Sequence, residues 1–202
     1  MLFGMPPTND DWESRNFGIF ILGAGFSAPA GLPLADELWS DILTHARTFQ
    51  GRAQQFWDDL DYYIDFRRRA DGKALNREQV NFEEFLGFLD VEHYLGLRGS
   101  DTWSEDGNET QVVIKTQIGK ILSRRMPEPG KIPAVYLRFA EKLQPSDLIL
   151  TFNYDLLLER SLESVGKPYR LFPRRYESVR KHISTVDYSQ DEVVVLKLAK
   201  DI

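Results

Sequence analysis

The chain has 202 residues, 42% of them hydrophobic, with a formal net charge of −6 and no cysteine. That length supports one sizeable core, or one domain carrying an insertion, and the hydrophobic content is that of a globular protein rather than a disordered one. The acidic balance does not suit a nucleic-acid surface, and the lack of thiols removes disulfides, thiolate zinc sites and a cysteine nucleophile.

Residues 1–15 are polar and proline-bearing, without the basic region or apolar run of a signal peptide. Phe17-Gly18-Ile19-Phe20-Ile21-Leu22 is continuously apolar and ends in glycine, which predicts a strand buried on both faces of a parallel sheet. The longest apolar stretch, around Phe17 to Phe26, is about half of a membrane span. The expectation is a soluble, cytoplasmic protein with no membrane partner and no direct nucleic-acid partner. A helix follows, with Leu34, Leu38 and Ile42 at helical spacing.

From about residue 44 to 130 the pattern is helical and charged, and it reads as an insertion. Phe56, Leu60, Tyr63 and Ile64 recur at helical spacing. Asn81 is placed as an N-cap with Glu84 as its capping-box partner, and Phe82, Phe85, Leu86 and Leu89 form one apolar stripe. A loop rich in Gly, Ser and Asp covers about 99–108, and another helix ends near Met126-Pro127. Ile132, Val135, Tyr136, Phe139 and Leu143 line a further helix, which Pro145-Ser146 breaks. Leu148-Ile149-Leu150-Thr151 is a second buried strand, and Asp155 to Leu162 a helix. Residues 166–190 are ambiguous, and Val193-Val194-Val195-Leu196 marks a third strand. Strands separated by helices imply a mostly parallel sheet, so the fold class is α/β, a Rossmann-like sheet with a large helical insertion. The basic runs Arg67-Arg68-Arg69, Arg124-Arg125 and Arg174-Arg175 read as solvated faces. His45, His93 and His182 lack the spacing of a ligand pair, so no metal is expected.

Gly23-x-Gly25-x-x-Ala28, between a predicted strand and a predicted helix, fits the Gly-x-Gly-x-x-Ala dinucleotide fingerprint. Gly23 would permit a tight turn with unusual dihedrals. Gly25 would let the backbone approach a pyrophosphate, and Ala28 would allow close helix packing. Helix N-terminal amides would then face the phosphates, with the Ser27 hydroxyl as a further donor. An ordinary dehydrogenase needs an acidic residue at the end of the next strand, about 20 residues on, whereas Asp36, Glu37 and Asp41 fall in a predicted helix. A P-loop would need Gly-Lys-Ser/Thr, which is absent from this turn. Thr151-Phe152-Asn153-Tyr154-Asp155 lies between the second strand and a helix, where polar residues face a ligand crevice or cap the helix.

Taken together, Gly23-Ala24-Gly25-Phe26-Ser27-Ala28-Pro29-Ala30-Gly31-Leu32-Pro33 and Thr151-Phe152-Asn153-Tyr154-Asp155 resemble the sirtuin-like NAD hydrolases of bacterial defence systems. Leu34-Ala35-Asp36-Glu37-Leu38 and Phe82-Glu83-Glu84-Phe85-Leu86 are similar to that branch as well, so the resemblance spans most of the chain. It implies that NAD is cleaved to ADP-ribose and nicotinamide, without a metal. It also implies that Gly23, Ala24, Gly25, Phe26, Ser27, Gly31 and Thr151 hold the dinucleotide. Asn153 would orient water and ribose hydroxyls at the scissile bond, and Asp155 would meet the nicotinamide carboxamide. Cleavage builds oxocarbenium character on the ribose. Because the nicotinamide ring is already cationic, no acid has to protonate the leaving group, and positioning and electrostatics can supply the rate. A homo-oligomer or a larger defence complex is the partner the family suggests. Lysine deacylation is disfavoured, since deacylating sirtuins carry a four-cysteine zinc module.

Two departures from the family stand out. Where it has Lys-Leu-His-Gly, this chain has Lys197-Leu198-Ala199-Lys200, and the methyl of Ala199 cannot act as a base. His182 is a poor positional substitute. The chain also stops at Ile202, where a doubly wound sheet would continue, which fits either a fragment or a replaced terminus. Three functions follow as alternatives: an NAD hydrolase, a non-catalytic NAD or ADP-ribose-binding module of a larger assembly, and a helical interaction scaffold with a vestigial sheet.

Overall fold

The computed structural model describes residues 17–48, 53–72, 74–97, 108–171, 175–180, 183–187 and 191–198. In chain order the elements are β1 (Ile19–Leu22), α1 (Ala24–Ser27), α2 (Ala35–His45), α3 (Ala53–Asp71), α4 (Phe82–Tyr94), α5 (Glu109–Arg125), α6 (Ala134–Lys142), β2 (Leu148–Thr151), α7 (Leu157–Ser164), β3 (Tyr169–Arg170), β4 (Arg175–Arg180), β5 (Ile183–Asp187) and β6 (Val193–Lys197). The fold is α/β, compatible with a Rossmann-like sheet that carries a helical insertion. It divides into two compact units, one holding the described residues up to Ala30 and from Pro127 onward, the other running Gly31–Met126.

In the first unit four strands form a sheet in the order β1-β2-β6-β3, and every pairing in it is parallel. β1 and β2 run in register from Ile19 opposite Leu148 to Leu22 opposite Thr151, and β2 and β6 run to Thr151 opposite Lys197. Asp147 fixes where β1 and β2 begin. Its Oδ1 accepts from the Gly18 amide (2.7 Å) and its Oδ2 from the Gln144 amide (2.7 Å). α6 and α7 pack on one face of the sheet, where Ala140, Leu143, Ile149, Leu158, Leu162, Val193 and Val195 form the core. Phe20 and Phe26 set their rings edge-on to Phe139 at its margin.

The other face differs from expectation. β1 is not buried on both sides: Ile19 and Ile21 are exposed, the latter at 67%. Among the described residues it is the α6–α7 face that carries the buried core. The apolar runs Ile19–Leu22, Leu148–Thr151 and Val193–Lys197 therefore read correctly as strands, but the first is not a doubly covered one.

The helical unit starts at Gly31 rather than near residue 44. The reason lies in α2, whose Trp39 packs its ring 6.2 Å from both Phe56 and Phe85, and which also packs against α5. Trp39 Nε1 donates to the Arg77 carbonyl (2.8 Å), which satisfies the one polar atom of a buried indole. Phe56, Leu60 and Tyr63 of α3 and Phe82, Phe85 and Leu89 of α4 are buried as their spacing predicts, with Leu86 half-buried.

Asn81 does cap α4, accepting from the Glu83 and Glu84 amides. Glu84 does not reach back to complete a box; its carboxylate accepts from Arg67 and from the Tyr63 hydroxyl instead. Reciprocal boxes occur at α5, between Asn108 and Gln111, and at the 3-10 turn Arg77–Gln79, between Asn76 and Gln79. Arg67, Arg68 and Arg125 of the basic runs pair with Asp71, Asp65 and Asp41. The loop expected at 99–108 lies outside the described residues apart from Asn108. The ambiguous stretch 166–190 contains β3 and the antiparallel pair β4–β5. No helix among the described residues is long and apolar enough to cross a membrane.

Candidate active site

The two sequence motifs meet at the carboxyl ends of adjacent parallel strands, the usual place for a ligand crevice in such sheets. Gly23 follows β1, and its carbonyl accepts from the Phe26 amide (2.8 Å), which closes the single turn of α1. The dihedrals of Gly23 are ordinary extended ones, so the expectation of an unusual turn geometry there is not met. The chain then makes a 3-10 turn at Ala28–Ala30, and the long helix expected after the fingerprint begins only at Ala35. Gly31 does take a positive φ of 88°, but it belongs to the helical unit.

A Cβ on Gly23 or Gly25 would meet no atom within 4 Å, as is also true at Gly87, Gly119 and Gly130, and both are exposed beside Ala24. Phe26 turns its ring toward the core, edge-on to Tyr136 at 5.1 Å, and its carbonyl accepts from the Tyr136 hydroxyl (2.8 Å). Burial pushes the Tyr136 phenol up, so this donor stays protonated through neutral pH.

Ser27 and Asn153 join the motifs. Asn153 Nδ2 donates to Ser27 Oγ at 3.0 Å, between residues 126 apart in sequence. Ser27 is fully buried and Asn153 is 6% exposed. Asn153 Oδ1 is also buried, yet it has no hydrogen-bond partner among the described residues. Buried carbonyl oxygens are nearly always satisfied, and one left open costs about 1–3 kcal/mol. This oxygen is an acceptor waiting for an O–H or N–H.

The strand-to-helix segment that carries Asn153 is held from both sides. The Phe152 amide donates to Leu22 O of β1 (2.9 Å), and the Leu198 amide to Thr151 O (2.7 Å). Thr151 Oγ1 accepts from the Asn153 amide (3.2 Å). Asp155 is buried, and its Oδ1 accepts from the Leu157 amide (3.0 Å), an Asx-type turn that opens α7. Asp155 thus makes a local turn ahead of the helix, whose N-cap residue is Leu156.

Sequence reasoning passed over Lys197 and Glu159. Lys197 Nζ donates to the Asp155 carbonyl (2.7 Å) and pairs with Glu159 Oε1 (2.9 Å), the two side chains being 15% and 7% exposed. The available signal was a lysine ending a run of valines, since a charge in a buried strand needs a partner. Ala199, Lys200 and His182 lie outside the described residues, so the site is built here without the stretch where the family carries its histidine.

Among the described residues no group of three or more His, Asp or Glu is placed to hold a metal ion. A separate cleft of about 540 Å³ in the helical unit is lined by Ser40, Leu43, Thr44, Trp57, Arg77 and Glu78. Its guanidinium is already committed, bidentate to Asp61 and stacked 4.5 Å from the Trp57 ring centroid, and none of the fingerprint residues lines it. No family model matches the chain, and no curated protein matches it.

Proposed function

We propose that this chain binds NAD at the Gly23–Ser27 and Thr151–Asp155 segments and hydrolyses it to ADP-ribose and nicotinamide. The observation that carries this reading is the buried Asn153 amide, with its nitrogen on Ser27 of the glycine turn and its oxygen without a partner among the described residues. Open space over Gly23 and Gly25 suits the approach of a diphosphate, with Ala24 and the Ser27 hydroxyl alongside. Asn153 Oδ1 suits a ribose hydroxyl or the attacking water, both O–H donors. Water adds to the anomeric carbon as the glycosidic bond breaks. The bond's electron pair neutralises the nicotinamide ring, and one proton is released to solvent. A fixed acceptor then contributes by positioning and by stabilising positive charge on the ribose. Gly31 and Asp155 keep the roles the family resemblance gives them, as part of this reading. So do the cytoplasmic location, the defence role and self-association or a larger complex.

A second reading, a binding module without turnover, is favoured by one observation: Ala199 stands where the resembled family has its histidine. Nicotinamide release by the purified chain, read by chromatography, separates the two when run beside calorimetry with ADP-ribose. A hydrolase releases nicotinamide and loses release by about a hundredfold or more in Asn153→Ala. Binding of ADP-ribose without release, even in Ala199→His, establishes the module. Neither binding nor release removes both readings.

A further inference from the structure

We infer that Lys197 is a positioning residue, fixing how Asn153 is presented in the candidate site. The catalytic consequence rests on the NAD-hydrolase reading; the structural part does not.

Residues 152–156 link β2 to α7 and belong to neither. Their β2 end is tied by three hydrogen bonds, Phe152 N to Leu22 O, Leu198 N to Thr151 O and Asn153 N to Thr151 Oγ1. Their α7 end has the Asp155 side-chain turn, the Leu156 carbonyl accepting from the Arg160 amide, and the Lys197 ammonium on the Asp155 carbonyl. That bond is charge-assisted, the stronger kind. Strand register puts Lys197 opposite Thr151, so a rigid element delivers the ammonium to the loop. Glu159, in the first turn of α7, receives the same ammonium and fixes its direction. Lys197 therefore spans the loop's far end and the helix after it from the neighbouring strand.

An ion pair so little exposed is a poor device for stability, because apolar residues of the same volume commonly serve as well or better. Its placement under the loop that carries Asn153 gives it a different use. Displacement of a reacting or orienting group by about 1 Å can cost about a hundredfold in rate. Without the ammonium, the Asp155 carbonyl loses its one tie to the sheet among the described residues, and Asn153 loses a fixed frame two residues downstream.

The test pairs Lys197→Met with Glu159→Met in one chain, so that neither charge is left buried alone. Amide hydrogen exchange of the 152–157 segment, the melting temperature, and kcat and KM for nicotinamide release are measured together. Expected are a melting temperature near that of the parent and exchange about tenfold faster in that segment alone. A kcat lower by about a hundredfold, with KM changed much less, is expected as well. Lys197→Arg, which keeps a cationic donor, recovers most of both. Unchanged exchange and unchanged kcat overturn the assignment. So does faster exchange throughout the chain with a lowered melting temperature, which marks a merely structural pair. Should the double Met chain not fold, Lys197→Gln with Glu159→Gln keeps a neutral hydrogen-bonding pair and is read in the same way. A parent chain that releases no nicotinamide defeats the hydrolase reading alone, and the exchange measurement still decides on Lys197.

Discussion

Asn153 holds a buried amide with its nitrogen satisfied and its oxygen open among the described residues. Asn153→Ala removes one neutral hydrogen bond and one orphaned acceptor, effects of opposite sign and each on the order of 1 kcal/mol. The expected result is a split: stability by urea denaturation within about 1 kcal/mol of the parent, with nicotinamide release lost. A large loss of stability would mark the residue as structural. Tyr169 titrates in a way that can be tested separately. Burial first, and then its hydrogen bond to Glu163, push its phenol from the usual 10.0 up to about 12. The folded state thus favours the neutral phenol. Its contribution to stability is complete below pH 10 and is lost as pH rises toward 12. Tyr169→Phe should therefore show a shallower fall in the urea midpoint across that alkaline window than the parent does.

At the scale of elements, the sequence was most legible where one physical signal dominated. β1, β2 and β6 are short β-branched and aliphatic runs, and α3 and α4 show helical spacing, with a cap residue at the start of α4. The capping box was assigned to the wrong helix because Asn81 with Glu84 and Asn108 with Gln111 have the same spacing. Only the fold brings Arg67 and Tyr63 up to claim the Glu84 carboxylate. Asn108→Ala should cost about 1 kcal/mol, measured by thermal or urea unfolding. β3 was illegible because two residues, Tyr169 and Arg170, carry no period. β4 and β5 were illegible because a register shift between Tyr176 and Ser178 interrupts the alternation a reader would count. In the site, the glycine turn and Asn153 were readable from residue order. The Ser27 contact and the Lys197–Glu159 pair were not, since they depend on strand order and register.

At the scale of the whole molecule, the expectation that failed was coverage of the sheet. Apolar residues on both sides of β1 predicted burial on both, yet only the side under α6 and α7 lies in the described core. Two substitutions on opposite faces measure this directly. Ile149→Ala, at a residue with no exposure, should cost about 2–5 kcal/mol. Ile21→Ala should fall within about 0.5 kcal/mol of the parent. A comparable loss at Ile21 in urea denaturation would mean that this face is covered in solution.

The register that sets Ile19 opposite Leu148 also sets an order of events in time. On a ribosome β1 emerges 129 residues (148 − 19) before the strand it pairs with. At about 5–20 residues per second that interval is on the order of ten seconds. Throughout it the whole helical unit can be made and folded while Phe17–Leu22 is still without its sheet. Ser27 likewise waits for Asn153, so the candidate site is absent from a growing chain until β2 has passed out of the exit tunnel. A nascent chain carrying the glycine turn alone is thus unable to engage its ligand early, and the exposed apolar strand makes it a natural client for chaperones in the interval.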